Sequence, residues 1–190
     1  MKLSAMIGLV VIASIAVGMV VYSGDSSSNS EDTENIIGLV EEYSGNMDVA
    51  EEASIDSHEL VVSADQGEED VYDLPEDNFF VSIAPYVDET HPCEIHSLTG
   101  CQGEMIEEEL EVHIEDADGK VHKEEKMSTE ENGFIDLWLP RDQTYDITIE
   151  QDGKTVQSEF SSYEGDDTCI TTMQLHKSDI SLLTMEEHLW

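Results

Sequence analysis

The chain contains three cysteines, Cys93, Cys101 and Cys169, whose thiols can bind a metal or form a disulfide. Cys93 and Cys101 lie in THPCEIHSLTGCQG (residues 90–103), a stretch with one proline and two glycines that is predicted to be a loop. Such a loop can fold back and bring both sulfurs together, while Cys169 starts the last predicted strand. Thiolates are soft ligands that select copper(I), zinc or iron–sulfur centres, and three sulfurs without a fourth ligand suit trigonal copper(I).

Two histidines, His91 and His96, flank Cys93 and are candidate additional ligands. Zinc is usually four-coordinate in proteins, and either histidine could supply the fourth ligand. Copper(II) prefers nitrogen and could first be captured by the same side chains. It could then oxidise the thiols, which would yield copper(I) and a disulfide. The competing interpretation is one structural disulfide with a spare thiol and no metal, and the spacing leaves both open.

The other sulfur and imidazole side chains have weaker signals. Met105 follows Cys101 closely enough to remain a possible ligand, whereas Met173 lies about 13 Å along a straight strand from Cys169 and is predicted to pack in the core. The remaining histidines are predicted to lie on the surface: His58, His113, His122, His176 and His188. Nucleophile-elbow, zinc-protease and P-loop motifs are absent, and we expect a protein that is not an enzyme. Stoichiometric reduction of copper(II) by the thiols and a true copper reductase with turnover both stay open.

The charge of the chain limits its partners. Its 190 residues contain 45 acidic and 7 basic side chains, for a formal net charge of −38. Nucleic acid is excluded as a partner, because phosphate repels such a surface, and an anionic membrane surface is disfavoured for the same reason. The acidic residues are spread along the chain, which is typical of a solvated acidic coat in a protein that works in high salt.

The start of the chain predicts export. Residues 1–23 carry Lys2 and then an uncharged apolar run, which fits a cleaved signal peptide or a membrane anchor equally well. Either places the remaining chain outside the cytoplasm, in a periplasm, at the cell surface or secreted. Residues 24–33, GDSSSNSEDT, predict a flexible linker.

The remaining chain predicts a mainly β protein. Residues 34–88 combine a near-helical apolar spacing with three β-prone stretches, which indicates a small α+β region. Residues 89–176 contain the cysteine loop and six short strands, with Asp-Gly hairpin turns at 118–119 and 152–153. We expect a small antiparallel β-sandwich there, in which GFIDLWL (133–139) is a central strand because it is apolar on both faces. Residues 177–190 form a C-terminal tail.

Two segments resemble the CueP family of exported copper-binding proteins. They are FVSIAPYVDETHPCEIHSLTGCQGEM (80–105) and residues 131–175, with the strings NGFIDLWLPR and TCITTMQL. The resemblance implies a periplasmic copper carrier whose ligands match Cys93, Cys101 and Cys169, with an N-terminal dimerisation region and a C-terminal metal-binding sandwich. It also implies a role in copper resistance, reduction of copper(II), and delivery of copper to an exported superoxide dismutase. A thiol–disulfide exchange partner would then be needed to keep the cysteines reduced.

Overall fold

The computed structural model describes residues 26–44, 52–64 and 67–177, so the segment predicted as signal peptide or anchor and nearly all of the predicted tail lie outside the described residues. Within those ranges there are one helix and twelve strands. They are, in chain order, α1 (Ser26–Ser44), β1 (Glu52–Ile55), β2 (Glu59–Ser63), β3 (Glu69–Asp73), β4 (Asn78–Tyr86), β5 (His96–Ser97), β6 (Glu109–Asp116), β7 (Val121–Ser128), β8 (Ile135–Pro140), β9 (Thr144–Gln151), β10 (Lys154–Ser161), β11 (Cys169–Gln174) and β12 (His176–Lys177). In this part of the chain no helix is long and apolar enough to cross a membrane.

The strands form three sheets, which confirms the mainly β fold class. A four-stranded antiparallel sheet has the order β3-β2-β1-β5, and a five-stranded antiparallel sheet has the order β12-β10-β9-β6-β7. The third sheet has the order β11-β4-β8, in which β11 runs parallel to β4 and β8 antiparallel. The two hairpins predicted from Asp-Gly pairs are present as β6–β7 and β9–β10. In the second, Asp152 and Gly153 both have positive φ, as this type of two-residue turn requires.

Strand β4 is the centre of the protein, because its two faces belong to different cores. Phe79, Val81 and Ile83 point into the core between the three-stranded and five-stranded sheets. Phe80, on the opposite face, joins a second core with the four-stranded sheet and α1. The segment predicted as a central strand, residues 133–139, instead supplies β8, which is an edge strand. Its apolar residues on both faces are explained by the two cores that pack against the two faces of the sheet. They do not indicate that β8 has a neighbouring strand on each edge.

The predicted boundary at residues 88 and 89 runs through a sheet. Strand β4 belongs to the region assigned as N-terminal, yet it pairs with β8 and β11 from the region assigned as C-terminal. Strand β11 is an exception to the antiparallel pairing, because it runs parallel to β4. Parallel pairing joins strands that are far apart in the chain, so no local turn signal announces it.

Helix α1 begins at Ser26 and covers most of residues 24–33, for which the sequence predicts a flexible linker. Polar composition is a weak guide, because intrinsic helix preferences differ by only a few tenths of a kcal/mol among ordinary residues. The second half of α1 packs Val40, with Ile36, Leu39 and Tyr43 around it, against the four-stranded sheet. This packing stabilises a helix that extends back into the polar stretch.

Candidate metal centre

Cys169 is placed by the junction of the cysteine loop with strand β11. The backbone N–H groups of Thr168 and Cys169 both donate to the carbonyl of Glu94, at 3.0 and 3.1 Å. On the other side, the N–H of Ser82 in β4 donates to the carbonyl of Thr168 at 2.8 Å. Cys169 is buried, and it packs with Ala84 and Phe134. The third sulfur is therefore held by rigid backbone on both sides.

The segment that we predicted to be a loop contains a short strand, β5. His96 and Ser97 pair with Ile55 and Ser54 of β1, and Leu98 beyond them is fully buried. The N–H of His96 also donates to the Thr168 hydroxyl at 3.2 Å. The loop thus becomes the edge of the four-stranded sheet, which fixes the histidine next to Cys169.

Backbone hydrogen bonds fix the position of Cys101, where the loop turns back. Its N–H donates to the carbonyl of Ser97 at 3.0 Å, which closes a turn. Two residues later the N–H of Gly103 donates to the carbonyl of Asn132 at 2.7 Å. Glu104 follows the loop in the chain. Its carboxylate accepts hydrogen bonds from three backbone N–H groups just before the loop, those of Val87, Asp88 and Glu89. The two ends of the cysteine loop are therefore tied together.

The structure brings the three sulfurs together. Cys93 and Cys169 form a disulfide, with their Cα atoms 5.5 Å apart. Cys101 is a half-buried free thiol whose Sγ lies 3.5 Å from the Sγ of Cys93. The sequence allows two interpretations, a cluster of three sulfurs or a disulfide with a spare thiol. In this oxidised state both describe the same site.

His96 belongs to the same cluster. The sequence predicts a loop residue with a possible ligand role, whereas the structure buries the side chain fully. Its Nδ1 lies 3.5 Å from the Sγ of Cys169, its ring lies 4.6 Å from the ring of Phe134, and its Nε2 has no hydrogen-bond partner. Burial, together with the nearby charge of His91, lowers the pKa of His96 to about 3. The ring is therefore neutral at physiological pH, which is the form that binds metals.

Two sets of side chains could hold a metal ion in the described part of the chain, and Cys101 belongs to both. One set is His91, Cys93 and Cys101, all half-buried, and the other is His96, Cys101 and Cys169. Within each set the ligand atoms lie within 4.8 Å of one another. All five residues that the sequence singled out as candidate ligands are thus in one neighbourhood.

An acidic groove of about 330 Å³ opens beside the disulfide. Its wall includes both sulfur-bearing residues of the disulfide and three carboxylates. The disulfide residues are Cys93 and Cys169, and the carboxylates belong to Glu159, Asp166 and Asp167. The negative side chains favour approach of a cation to the sulfurs, although salt screens this attraction.

The other candidates lie elsewhere. Met173 is buried in the core between the three- and five-stranded sheets, which confirms its predicted packing role, and Met105 is buried in the same core. His122, predicted to lie on the surface, is instead nearly buried, and its Nε2 lies 2.8 Å from an Asp116 carboxylate oxygen. This prediction is wrong because the β6–β7 register shifts opposite His122, whose ring packs edge-on against Tyr145.

Sequence reasoning missed a set of polar residues around the site. Thr168 links β1 with β5 just before β11 begins, because its hydroxyl donates to the carbonyl of Ile55 and accepts from the N–H of His96. Asp136 accepts hydrogen bonds from the hydroxyls of Ser44 and Ser82, and Ser82 is the register partner of Cys169. A carboxylate inside the apolar run GFIDLWL was the signal that could have pointed to a buried polar group.

The family of this chain is shown by its similarity to known proteins. Residues 35–174 match the family described as "Periplasmic copper-binding protein CueP". The chain belongs to the CueP family. This confirms the resemblance, the extracytoplasmic location and copper as the family's metal. The solved structure "Crystal Structure of S.CueP" is 31% identical in sequence, with a TM-score of 0.71, and the match covers 80% of this chain and 98% of that one. No curated protein matches the chain.

Proposed function

We propose that this CueP-family chain is an extracytoplasmic copper carrier that holds copper(I) with the thiolates of Cys93, Cys101 and Cys169. The observation that supports this most is the gathering of all three sulfurs in one cluster, with Cys101 in contact distance of the Cys93–Cys169 disulfide. Reduction of that disulfide would give three soft ligands on backbone that is already in place. Three thiolates suit copper(I) better than harder cations.

The two histidines have different parts in this proposal. His91 lies on the open side with Cys93 and Cys101, where an arriving copper(II) ion would find a nitrogen ligand. His96 lies on the closed side with Cys169, where it orients the buried sulfur or adds a fourth ligand. The acidic groove beside the disulfide provides the path of approach.

Reduction of copper(II) by the same thiols balances as two ions for each disulfide. Two thiolates give one electron to each of two copper(II) ions, which leave as copper(I), and the two sulfurs join. The Cys93–Cys169 disulfide corresponds to the product of that step. It removes two of the three thiolates, so a thiol–disulfide exchange partner would be needed to restore the site. This is stoichiometric chemistry rather than enzymatic turnover.

The wider roles are proposed from the family relationship. They are copper resistance, delivery of copper to an exported acceptor such as a superoxide dismutase, and pairing of two copies through the N-terminal region. Each of these needs a partner that recognises this chain.

Zinc is the second candidate metal, because one observation favours it. His96 Nδ1 lies close enough to the sulfurs to complete a set of three thiolates and one imidazole, which is a common structural zinc site. Zinc would then need the fourth ligand, whereas copper(I) would not. Loss of His96 should therefore weaken zinc binding more than copper(I) binding.

The test is an anaerobic copper(I) titration of the reduced full chain against a competing chelator. The variants are Cys93→Ser, Cys101→Ser and Cys169→Ser, with Met127→Leu as the control, since Met127 is a sulfur-bearing residue on β7 outside the cluster. We expect one copper(I) per wild-type chain, at least about a hundredfold weaker binding in each serine variant, and no change in the control. Unchanged affinity in all three serine variants would refute the site.

A further inference from the structure

The free thiol of Cys101 is already positioned against the disulfide. Its Sγ lies 3.5 Å from the Sγ of Cys93, which is bonded to Cys169. A thiolate attacks a disulfide sulfur directly, and the rate depends on access and on which sulfur leaves. We propose that Cys101 exchanges with this disulfide, so that the oxidised protein interconverts between a Cys93–Cys169 and a Cys93–Cys101 bond.

The exchange step is balanced within the chain. Cys101, as its thiolate, forms a bond to the sulfur of Cys93. The bond between Cys93 and Cys169 breaks, and Cys169 leaves with the electron pair. The proton that Cys101 gives to solvent is matched by one that the Cys169 sulfur gains. No oxidant or reductant is consumed, because one disulfide and one thiol are present before and after.

The surroundings of the two disulfide sulfurs indicate which one leaves. His96 Nδ1 lies 3.5 Å from Cys169, while His96 Nε2 has no partner. A buried N–H without an acceptor is unfavourable, so the imidazole proton belongs on Nδ1, where it faces the departing sulfur. Cys93 instead lies 3.4 Å from the carbonyl oxygen of Ile95, which offers no proton. Cys93 is therefore the sulfur attacked, and Cys169 is the one that leaves.

Exchange changes which sulfurs a reductant can reach. Cys169 is buried, whereas Cys93 and Cys101 are both half-buried in the loop. The Cys93–Cys101 isomer therefore moves the disulfide into the more accessible loop and leaves a free Cys169 thiol beside His96. This inference deepens the proposed function, on which its role rests, since it gives the oxidised site a route to re-reduction through the loop.

The test locates the single free thiol of the oxidised chain without any copper. Oxidised, metal-free full chain is held at neutral pH under nitrogen, quenched with acid, denatured and labelled with a maleimide under mildly acidic conditions. A glutamyl endopeptidase then cuts after Glu94, which separates Cys93 from Cys101 for mass spectrometry. We expect label on both Cys101 and Cys169, with at least about a tenth of chains labelled at Cys169 and far fewer at Cys93. Label confined to Cys101, or equal label on Cys93 and Cys169, would overturn the proposal.

A variant tests the part assigned to His96. His96→Leu removes the N–H that faces Cys169, so we expect the fraction labelled at Cys169 to fall several-fold. His113→Leu, on β6 away from the cluster, should leave that fraction unchanged. An unchanged fraction in His96→Leu would overturn the assigned direction of exchange. If that variant does not fold, the wild-type labelling still decides whether exchange occurs. Because no copper is present, this result and the copper(I) titration can fail independently.

Discussion

The Nδ1 atom of His96 lies 3.5 Å from the Sγ of Cys169, in a place where both side chains are buried. The two residues belong to different sheets, because β5 is the edge of the four-stranded sheet and β11 is the edge of the three-stranded sheet. Their contact is therefore made by the packing of one sheet against the other. The candidate metal centre depends on that junction rather than on the cysteine loop alone.

Replacing His96 by Leu should weaken copper(I) binding while changing the stability of the protein little. Burial of Nε2 without a partner already destabilises the native ring, and Leu fills a similar volume without polar atoms. We expect the free energy of unfolding to change by less than about 1 kcal/mol. Copper(I) affinity should fall about tenfold or more, because partners that orient a ligand typically contribute that much.

The measurements are denaturant unfolding of the reduced chain and chelator competition. His113→Leu is the matched control, since its side chain is 38% exposed and lies on the five-stranded sheet. It should leave copper(I) affinity unchanged. If His96→Leu bound copper(I) as tightly as the wild type, His96 would have no part in the centre.

Gly103→Ala should loosen the end of the cysteine loop. A Cβ at Gly103 would lie 2.6 Å from the carbonyl oxygen of Gly133 and 3.2 Å from the Cβ of Ala84. Backbone atoms on one side and a β4 residue on the other leave little room for relief. We expect a loss of about 1–3 kcal/mol in unfolding free energy, measured by chemical denaturation.

The control for that substitution is Gly38→Ala in α1. A Cβ at Gly38 meets nothing within 4 Å, and Ala is the better helix former by about 1 kcal/mol. This variant should be more stable than the wild type. Equal stability of Gly103→Ala and the wild type would show that the two glycine backbones can move apart.

Asp136→Asn should stabilise the protein at neutral pH. Burial raises the pKa of Asp136, against the opposing effect of hydrogen bonds from Ser44 and Ser82. The folded state therefore holds this proton more tightly than the unfolded chain does. Its stabilising contribution is complete below the ordinary Asp pKa and is lost as pH rises through the raised value. Asn retains a hydrogen-bonding side chain and cannot ionise, so its advantage should grow from acid to neutral pH.

The check is the difference in unfolding free energy between Asp136→Asn and wild type across that pH range. Asp146→Asn, which removes an exposed carboxylate from β9, corrects for the general effect of net charge. A difference that stayed constant with pH would contradict the raised pKa.

Asp116→Asn should have the opposite pH dependence. The hydrogen bond from His122 is the largest cause that lowers the pKa of Asp116, and backbone N–H groups of Lys120 and Asp118 add to it. The stabilising contribution of this carboxylate is present above the ordinary Asp pKa and is lost as pH falls through the lowered value. We expect the variant to have a lower denaturation midpoint at neutral pH and to approach the wild type in acid.

Asp118→Asn tests whether that effect belongs to Asp116 alone. Asp118 lies in the same turn and is exposed. Its replacement should change the midpoint much less. Equal midpoints for the wild type and Asp116→Asn at neutral pH would mean that the His122 contact adds nothing to stability.

Local signals in the sequence predicted the local parts of the fold. Asp118 with Gly119 and Asp152 with Gly153 marked the β6–β7 and β9–β10 hairpins, because such turns require residues that tolerate positive φ. The pairing of β11 with β4 had no such signal, since it joins residues such as Cys169 and Ser82 that are far apart in the chain. Strands from both sides of residue 88 therefore belong to one sheet.

The site was predicted by residue type and only partly by environment. An odd number of cysteines in an exported chain, with His91 and His96 close by, was enough to select all five candidate ligands. The burial of His96 was missed because β5 has two residues, which is too short for a periodic pattern. Asp136 was missed because its partners, Ser44 and Ser82, come from distant segments of the chain.

X-ray absorption at the copper edge of the reduced, copper(I)-loaded full chain is the most direct measurement of the central claim. We predict one copper per chain with three sulfur scatterers in its first coordination shell, and two in Cys101→Ser. A wild-type spectrum fitted by nitrogen and oxygen neighbours alone, or one that Cys101→Ser left unchanged, would contradict a copper(I) centre built from Cys93, Cys101 and Cys169.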